Sequence, residues 1–187
     1  MPLQLNVIAA STRPGRVGIH VARWFLPLAQ AHPAFEAKLV DLAEVGLPLY
    51  DEPVPPVQRD YAHEHTRRWG ASVAAADAFV FVVPEYNHGP TPALINALDY
   101  VYHEWGFKPA AFVSYGGLSG GLRGVEATKA ILTNLNVMPI AKGVSIQWIR
   151  KHVRDGAFLP EPSHVESVQP MLDALARWAE ALRPMRG

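Results

Sequence analysis

Short apolar runs alternate along this chain with stretches whose apolar residues recur every three or four positions. The first run, Leu3 to Ala9, ends at the turn cluster Ser11-Thr12-Arg13-Pro14-Gly15 and predicts a buried strand. Ile19, Ala22, Leu26 and Ala29 then mark a helix over Gly18 to His32, with Pro27 inside it as a kink or a break. Glu36 to Asp41 is a weaker strand. From Leu42 to Val57, Pro48, Pro53, Pro55 and Pro56 predict a long irregular connection. A helix is expected over Asp60 to Asp77. The strongest strand follows at Ala78 to Val83, stopped by Pro84. Thr91 to Glu104 reads as helix, Ala110 to Tyr115 as strand, Gly121 to Asn136 as helix, and Val137 to Ile146 contains a last strand. The closing helix, Ser163 to Arg183, has Val165, Val168, Leu172, Leu175, Ala179 and Leu182 as its core positions.

Strands alternating with helices imply a parallel sheet covered on both faces. Five such units fit the flavodoxin-like, doubly wound order 2-1-3-4-5 better than a six-stranded dinucleotide fold, and the chain is too short for an eight-unit barrel. A three-layer α/β sandwich formed by residues 1–187 as one domain is therefore expected. In that order a crevice opens at the C-terminal ends of strands 1 and 3, so the loops after strands 1, 3 and 4 should carry the chemistry.

Composition narrows the function classes. The length of 187 residues suits one domain, and 17 basic residues against 17 acidic ones give a formal charge of zero, which argues against a surface built for nucleic acid. Cysteine is absent, which removes thiol nucleophiles, disulfides and Cys-ligated metal centres. The longest wholly apolar run, Ala78–Val83, is far short of the ~20 residues that span a bilayer. No basic segment with a following apolar run opens the chain, so a soluble cytoplasmic protein without membrane partners is expected.

The first of the three loops runs from Ser11 to Gly18 directly into a helix. Hydroxyls, free amides at a helix start, and the forked donors of Arg13 and Arg16 suit a phosphate. A plain strand-to-helix turn with solvated arginines is the alternative, since neither a Walker A nor a G-x-G-x-x-G pattern occurs. In the second loop, Pro84-Glu85-Tyr86-Asn87-His88-Gly89-Pro90-Thr91-Pro92, three prolines and a glycine hold the backbone open. Tyr86 and Asn87 add an aromatic face and a bifunctional amide, which suit a planar heterocycle; a rigid turn is the plainer reading. The third loop, Ser114-Tyr115-Gly116-Gly117-Leu118-Ser119-Gly120-Gly121, has four glycines in six positions, where a flat ring could lie against backbone.

The segments AASTRPGRVG, VVPEYNHGPTPALINALDYVYHEWGFKP and FVSYGGLSGGLRGVEATKAIL together resemble the NADPH-dependent FMN reductase family, which includes quinone, azo-dye and chromate reductases. The resemblance extends from Leu3 to about Ile146. It implies that Ser11, Arg13 and Arg16, with Gly18 at the helix start, hold the phosphate of FMN. It further implies that Pro84, Glu85, Tyr86 and Asn87 meet the ribityl chain and ring, and that Ser114, Tyr115, Gly116 and Gly117 close the other side. Leu47 to Asp51 resembles a family segment beside the site, which brings in Tyr50 as a substrate contact. Ile95 stands where lysine is common, and His88-Gly89-Pro90 departs from the usual spacing. His88 is either a substrate contact and proton source or a surface histidine.

The function expected on these grounds is hydride transfer from NADPH or NADH through FMN to a small planar acceptor such as a quinone, with ping-pong kinetics. A flavodoxin-type electron carrier and a flavin-binding redox-regulatory module are the rivals; carriers tend to be strongly acidic, and this chain is neutral. No metal is expected, because His63 and His65 read as a solvated helix face without a third ligand. Arg67, Arg68 and Arg123 read as solvated charges, and either group could hold the extra phosphate of NADPH. Finally, Ile95, Tyr102 and Trp105 extend the apolar arc of the third helix beyond what a sheet covers, predicting a homodimer or homotetramer. The alternative is that the Pro-rich connection folds over that face.

Overall fold

The computed structural model describes residues 1–186 of the chain. Its elements are β1 (Leu3–Ala9), α1 (Gly18–Gln30), β2 (Phe35–Asp41), α2 (Leu42–Val45), α3 (Glu64–Ala74), β3 (Ala78–Pro84), α4 (Pro92–Asp99), β4 (Pro109–Tyr115), α5 (Leu122–Asn134), β5 (Met138–Ile146), the hairpin β6 (Val153–Arg154) and β7 (Ala157–Phe158), α6 (Pro162–Glu166) and α7 (Val168–Leu182). The five long strands form one parallel sheet in the order β2-β1-β3-β4-β5, as the alternation predicts.

Strand alternation sorts the core into two layers. Val80 and Val82 of β3 point with Val7 and Ala9 toward Phe25 of α1 and Leu172 and Leu175 of α7. Phe79, Phe81 and Val83 point the other way, toward Trp69 of α3, Leu98 of α4 and Leu132 of α5. Register then sets the site. Ala9 lies beside Val82, Pro84 beside Tyr115, and Tyr115 beside Ile146, so four strands end at nearly one level. β5 keeps this alignment although its register with β4 shifts between Ala110 and Phe112, because the irregularity lies at the far end.

Three helices differ from the pattern-based expectation, each for a local reason. α4 stops at Asp99 rather than Glu104. The indole N–H of Trp69 donates to the Ala97 carbonyl (2.8 Å) and that of Trp105 to the Leu98 carbonyl (3.2 Å). Those oxygens are thereby satisfied without a further helical turn. Trp105 itself is fully buried, edge-on to Trp69 and Phe79, and contributes nothing to an exposed arc. α3 starts at Glu64 because the buried carboxylate of Glu52 accepts from the amides of Ala62 (2.7 Å) and His63 (3.1 Å) and holds them outside the helix. The closing helix breaks at Ser167. Pro170 has no N–H for the Glu166 carbonyl, and its ring crowds that group, which favours the break between α6 and α7 at this point. Val165 falls on the short α6 and is 43% exposed rather than core. Pro27 interrupts nothing: α1 runs through it, with the proline on the solvent side.

The Pro-rich connection folds onto α4. Asn96 donates to the Pro48 carbonyl (2.7 Å) and accepts from the Tyr50 amide (2.8 Å), and the buried Tyr100 hydroxyl donates to Asp51 (2.9 Å). His63 and His65 are not a solvated helix face. Their rings stack 5.1 Å apart and both turn toward Asp51, with the His65 Nε2 at 3.0 Å. Among the described residues no cluster of three or more metal-type side chains is suited to hold an ion. Nor is any helix among them long and apolar enough to cross a membrane.

Candidate functional site

A cleft of about 490 Å³ opens at the C-terminal edge of the sheet, between loops 1, 2 and 3. Arg13 to Val17 form one wall, Pro84, Glu85 and Tyr86 the second, and Tyr115 with Gly116 the floor and third side. This is the crevice the strand order demands, at the switch point between β1 and β3 where successive strands are added on opposite sides of β1.

Loop 1 arrives from β1 through the buried Ser11, whose Oγ lies 3.1 Å from the Tyr115 hydroxyl. Burial pushes the Tyr115 phenol well above its ordinary pKa, so this hydroxyl stays protonated and acts as a structural pin. Gly18 sits directly beneath: a Cβ there would come within 2.2 Å of the Tyr115 oxygen and 2.7 Å of the Ser11 Oγ. Only glycine lets the first turn of α1 approach the end of β4 so closely. Among the described residues, the amides of Thr12, Arg13, Gly15 and Val17 have no hydrogen-bond partner, whereas that of Arg16 donates to the Arg13 carbonyl. Exposed amides ahead of a thirteen-residue helix make a good anion cradle.

The two arginines of this loop part company. Arg13 is exposed and has no ion-pair or hydrogen-bond partner among the described residues. Arg16 is drawn instead to the buried carboxylate of Asp41 at the end of β2. Asp41 also caps α2 by accepting from the Ala43 amide, so the pair ties loop 1 to the edge strand.

Loop 2 is a tight two-residue turn. Tyr86 and Gly89 exchange backbone hydrogen bonds (3.0 and 2.9 Å), and Asn87 and His88 both adopt left-handed backbone at φ 50° and 65°. Asn87 and His88 are exposed at its tip. Thr91 closes the loop: its hydroxyl donates to the Ala10 carbonyl (2.6 Å) and accepts from the Leu94 amide as the N-cap of α4. Loops 1 and 2 are therefore joined through a buried side chain.

Glu85 joins loops 2 and 3. Its carboxylate accepts from Ser119 Oγ (2.8 Å), the Arg123 amide (3.1 Å) and the Arg123 Nε (2.7 Å). These donors, Arg123 foremost, hold its pKa down to about 2. The Glu85 side chain is thus a brace rather than a free acid, and Arg123 is a paired cation rather than the solvated charge expected from the sequence. In loop 3 the glycines divide their duties. Gly121, at φ 87°, packs against the backbone of Tyr115 and shapes the turn, while Gly117 faces open space. The amides of Gly117, Leu118 and Ser119 are without partners among the described residues.

Most of the sequence-derived set therefore meets at one place. Arg13, Arg16, Pro84, Glu85, Tyr86, Tyr115 and Gly116 line the cleft, Ser11, Gly18 and Ser114 are buried next to them in the chain, and Asn87, His88 and Gly117 are exposed on the adjoining loops without lining it. Tyr50 is not brought in: its ring packs edge-on against Tyr100 at 5.3 Å, on the connection. Ile149 and Arg150, which also line the cleft, escaped the sequence reading. They follow β5, whose end lies level with β4, so the same topological argument reaches them once a fourth loop is included.

Residues 3–149 match the NADPH-dependent FMN reductase family. An NAD(P)H-dependent FMN reductase of Schizosaccharomyces pombe is 44% identical over 120 residues, which cover 63% of this chain and 60% of that protein. One from Saccharomyces cerevisiae is 36% identical over 156 residues, covering 78% of this chain and 81% of its own length. A solved flavoenzyme, the NAD(P)H:acceptor oxidoreductase FerB of Paracoccus denitrificans, shares the fold with a TM-score of 0.75 at 22% identity, covering 96% of this chain and 98% of that one.

Proposed function

Because the chain belongs to the NADPH-dependent FMN reductase family, we propose that it is an FMN-dependent oxidoreductase taking hydride from NADPH or NADH and reducing a small planar acceptor such as a quinone. The observation that carries this reading is the shared cleft: an amide cradle with an unpaired Arg13 at one end, and an aromatic and glycine-lined mouth at the other. The donor set fits FMN. A phosphomonoester carries about −1.5 to −2 charge and suits loop 1 amides and a guanidinium.

FMN, when bound, supplies the hydride chemistry, and the protein supplies position and electrostatics. Arg13 and the amides from Thr12 to Val17 would hold the phosphate. Tyr86 and Asn87 would border the ring on the loop 2 side. The unpartnered amides of Gly117 to Ser119 would offer fixed donors where negative charge gathers on reduction. Thr91, Glu85 and the Tyr115–Ser11 pair keep the three loops from moving apart, so these donors are set before the reaction begins. His88 at the tip of loop 2 would meet the acceptor. With one open mouth, donor and acceptor enter by turns.

The test is direct. The purified protein should carry a yellow cofactor that heat releases as FMN, and it should oxidise NAD(P)H faster with a benzoquinone, with parallel double-reciprocal lines. Recovered FAD, or no flavin at saturating FMN, overturns the cofactor assignment. A flavin-loaded protein that leaves NAD(P)H untouched is an electron carrier or a regulatory flavoprotein.

A further inference from the structure

The segment that follows β5 is a ridge between two cavities. Ile149 and Arg150 face the cleft described above. On the other side lies a second cavity of about 510 Å³, lined by Gln147, Trp148 and His152, with Leu122, Ser163 and His164 among the residues that complete it. The ridge is pinned to loop 3: the Trp148 amide donates to the Gly117 carbonyl and the Ile149 amide to the Gly116 carbonyl, both at 3.0 Å. Consecutive residues, Trp148 and Ile149, therefore line the two cavities.

Its chemistry is distinctive. The Trp148 indole is 48% exposed, with the Lys151 Nζ 5.6 Å above the ring. Neither Arg150 nor Lys151 has an ion pair among the described residues. His164 is buried, and its Nδ1 accepts the Glu161 amide at 3.0 Å, which makes Nε2 the protonated nitrogen of the neutral ring. Among the described residues no group takes that Nε2–H. Burial and the neighbouring His152 lower the His164 pKa, so the ring is an uncharged donor at neutral pH. An aromatic face, a neutral imidazole donor, a glutamine amide and two cations on the approach suit a purine nucleoside with phosphates attached.

We propose that the second cavity receives the adenosine half of the nicotinamide donor, with Trp148 stacking on the adenine and Arg150 and Lys151 facing the phosphates that cross the ridge. The inference rests on the reductase reading above. A reduced dinucleotide whose nicotinamide reaches the first cleft must lodge its other half outside it. The remaining cavity near loop 1, bordered by Thr12, Leu47 and Asn96, is smaller, at about 280 Å³, and its lining has neither an aromatic ring nor a cation.

Calorimetric titration of the FMN-loaded protein with 2′-phospho-ADP-ribose, the donor without its nicotinamide, tests the assignment without any turnover. The wild type should bind it, Trp148→Ala should weaken binding by about tenfold or more, and Trp148→Phe should restore most of the loss. Ser163→Trp, filling the cavity from the opposite wall, should weaken it as well. In kinetics, the wild type should show a KM for reduced nicotinamide mononucleotide at least tenfold above that for NADPH, and Trp148→Ala should narrow the gap. Equal affinity of wild type and Trp148→Ala for the fragment, or wild-type protein that oxidises NADPH but does not bind the fragment, overturns the proposal. Failure of the wild type to bind FMN and to oxidise NAD(P)H defeats the reductase reading instead.

Discussion

Arg13 and Arg16 lie three residues apart with the same side chain, yet their surroundings give them different work. Arg16 spends its charge on the buried Asp41, while Arg13 keeps its own for a ligand. Removing Arg13 should therefore cost a charge-assisted contact worth roughly 1.5–3 kcal/mol and leave the fold intact. Fluorescence titration of Arg13→Ala should show FMN affinity reduced tenfold or more, with the circular dichroism spectrum unchanged; unaltered affinity would place the phosphate elsewhere. Glu85 makes a pH-dependent contribution. Its folded pKa, about 2, lies below the ordinary glutamate value, so its stabilisation is complete above about pH 4.5 and is lost as pH falls toward 2. With Arg123 half-exposed, the contribution is about 1–2 kcal/mol. Urea unfolding of Glu85→Gln should show that loss at pH 7 and a shallower decline in stability from pH 4.5 to 3. Parallel pH profiles for variant and wild type would show that the brace stores nothing. Both arginines and the glutamate could be picked out of the sequence as candidates. Their pairings could not, because Arg16 and Asp41 are 25 positions apart and Glu85 and Arg123 are 38 apart, with no local pattern linking them.

At the level of elements, α4 shows how a helix is bounded from both ends by groups outside its own repeat. Thr91 opens it with a cap that also holds the Ala10 carbonyl, and the indoles of Trp69 and Trp105 close it. Thr91→Ala removes an N-cap and a buried hydrogen bond together, so an unfolding cost of about 1–2 kcal/mol is expected. Because the same hydroxyl joins loops 1 and 2, FMN affinity should fall with it; a loss of stability with full affinity would show that the loops hold their spacing without this tie. The start of α4 could be read from Thr91 and Pro92, since caps are local. Its end could not, because tryptophans at Trp69 and Trp105 meet it only in the folded state. The break between α6 and α7 had a local cause in Pro170, which the three- and four-residue spacing of apolar positions concealed.

For the whole molecule, covering of α4 by the Pro-rich connection changes where a partner subunit would dock. Trp105 is internal and Tyr102 half-buried, whereas Leu49 is 86% exposed on the connection, between Pro48 and Tyr50, which are both bonded to Asn96 of α4. A homodimer using this surface would have Leu49 near its centre and Ile95 beside it. Sedimentation should then show an oligomer at micromolar concentration that Leu49→Glu dissociates and Tyr102→Glu does not. A monomeric wild type would remove the oligomer, and an unaffected Leu49→Glu would move its interface.

The alternation of apolar runs and helical spacings was enough, without coordinates, to determine the strand order, the crevice and three of the loops around it. Strand and helix periods are properties of the local backbone, and the handedness of parallel connections leaves few ways to arrange five βα units. Tertiary structure alone decided which charges are spent on the protein and which are left for a ligand, where the Pro-rich connection lies, and that a ridge after β5 separates two cavities. Each depends on groups from distant parts of the chain, side chain or backbone, arriving within about 3 Å of one another, and residue spacing along a sequence carries no record of such distances.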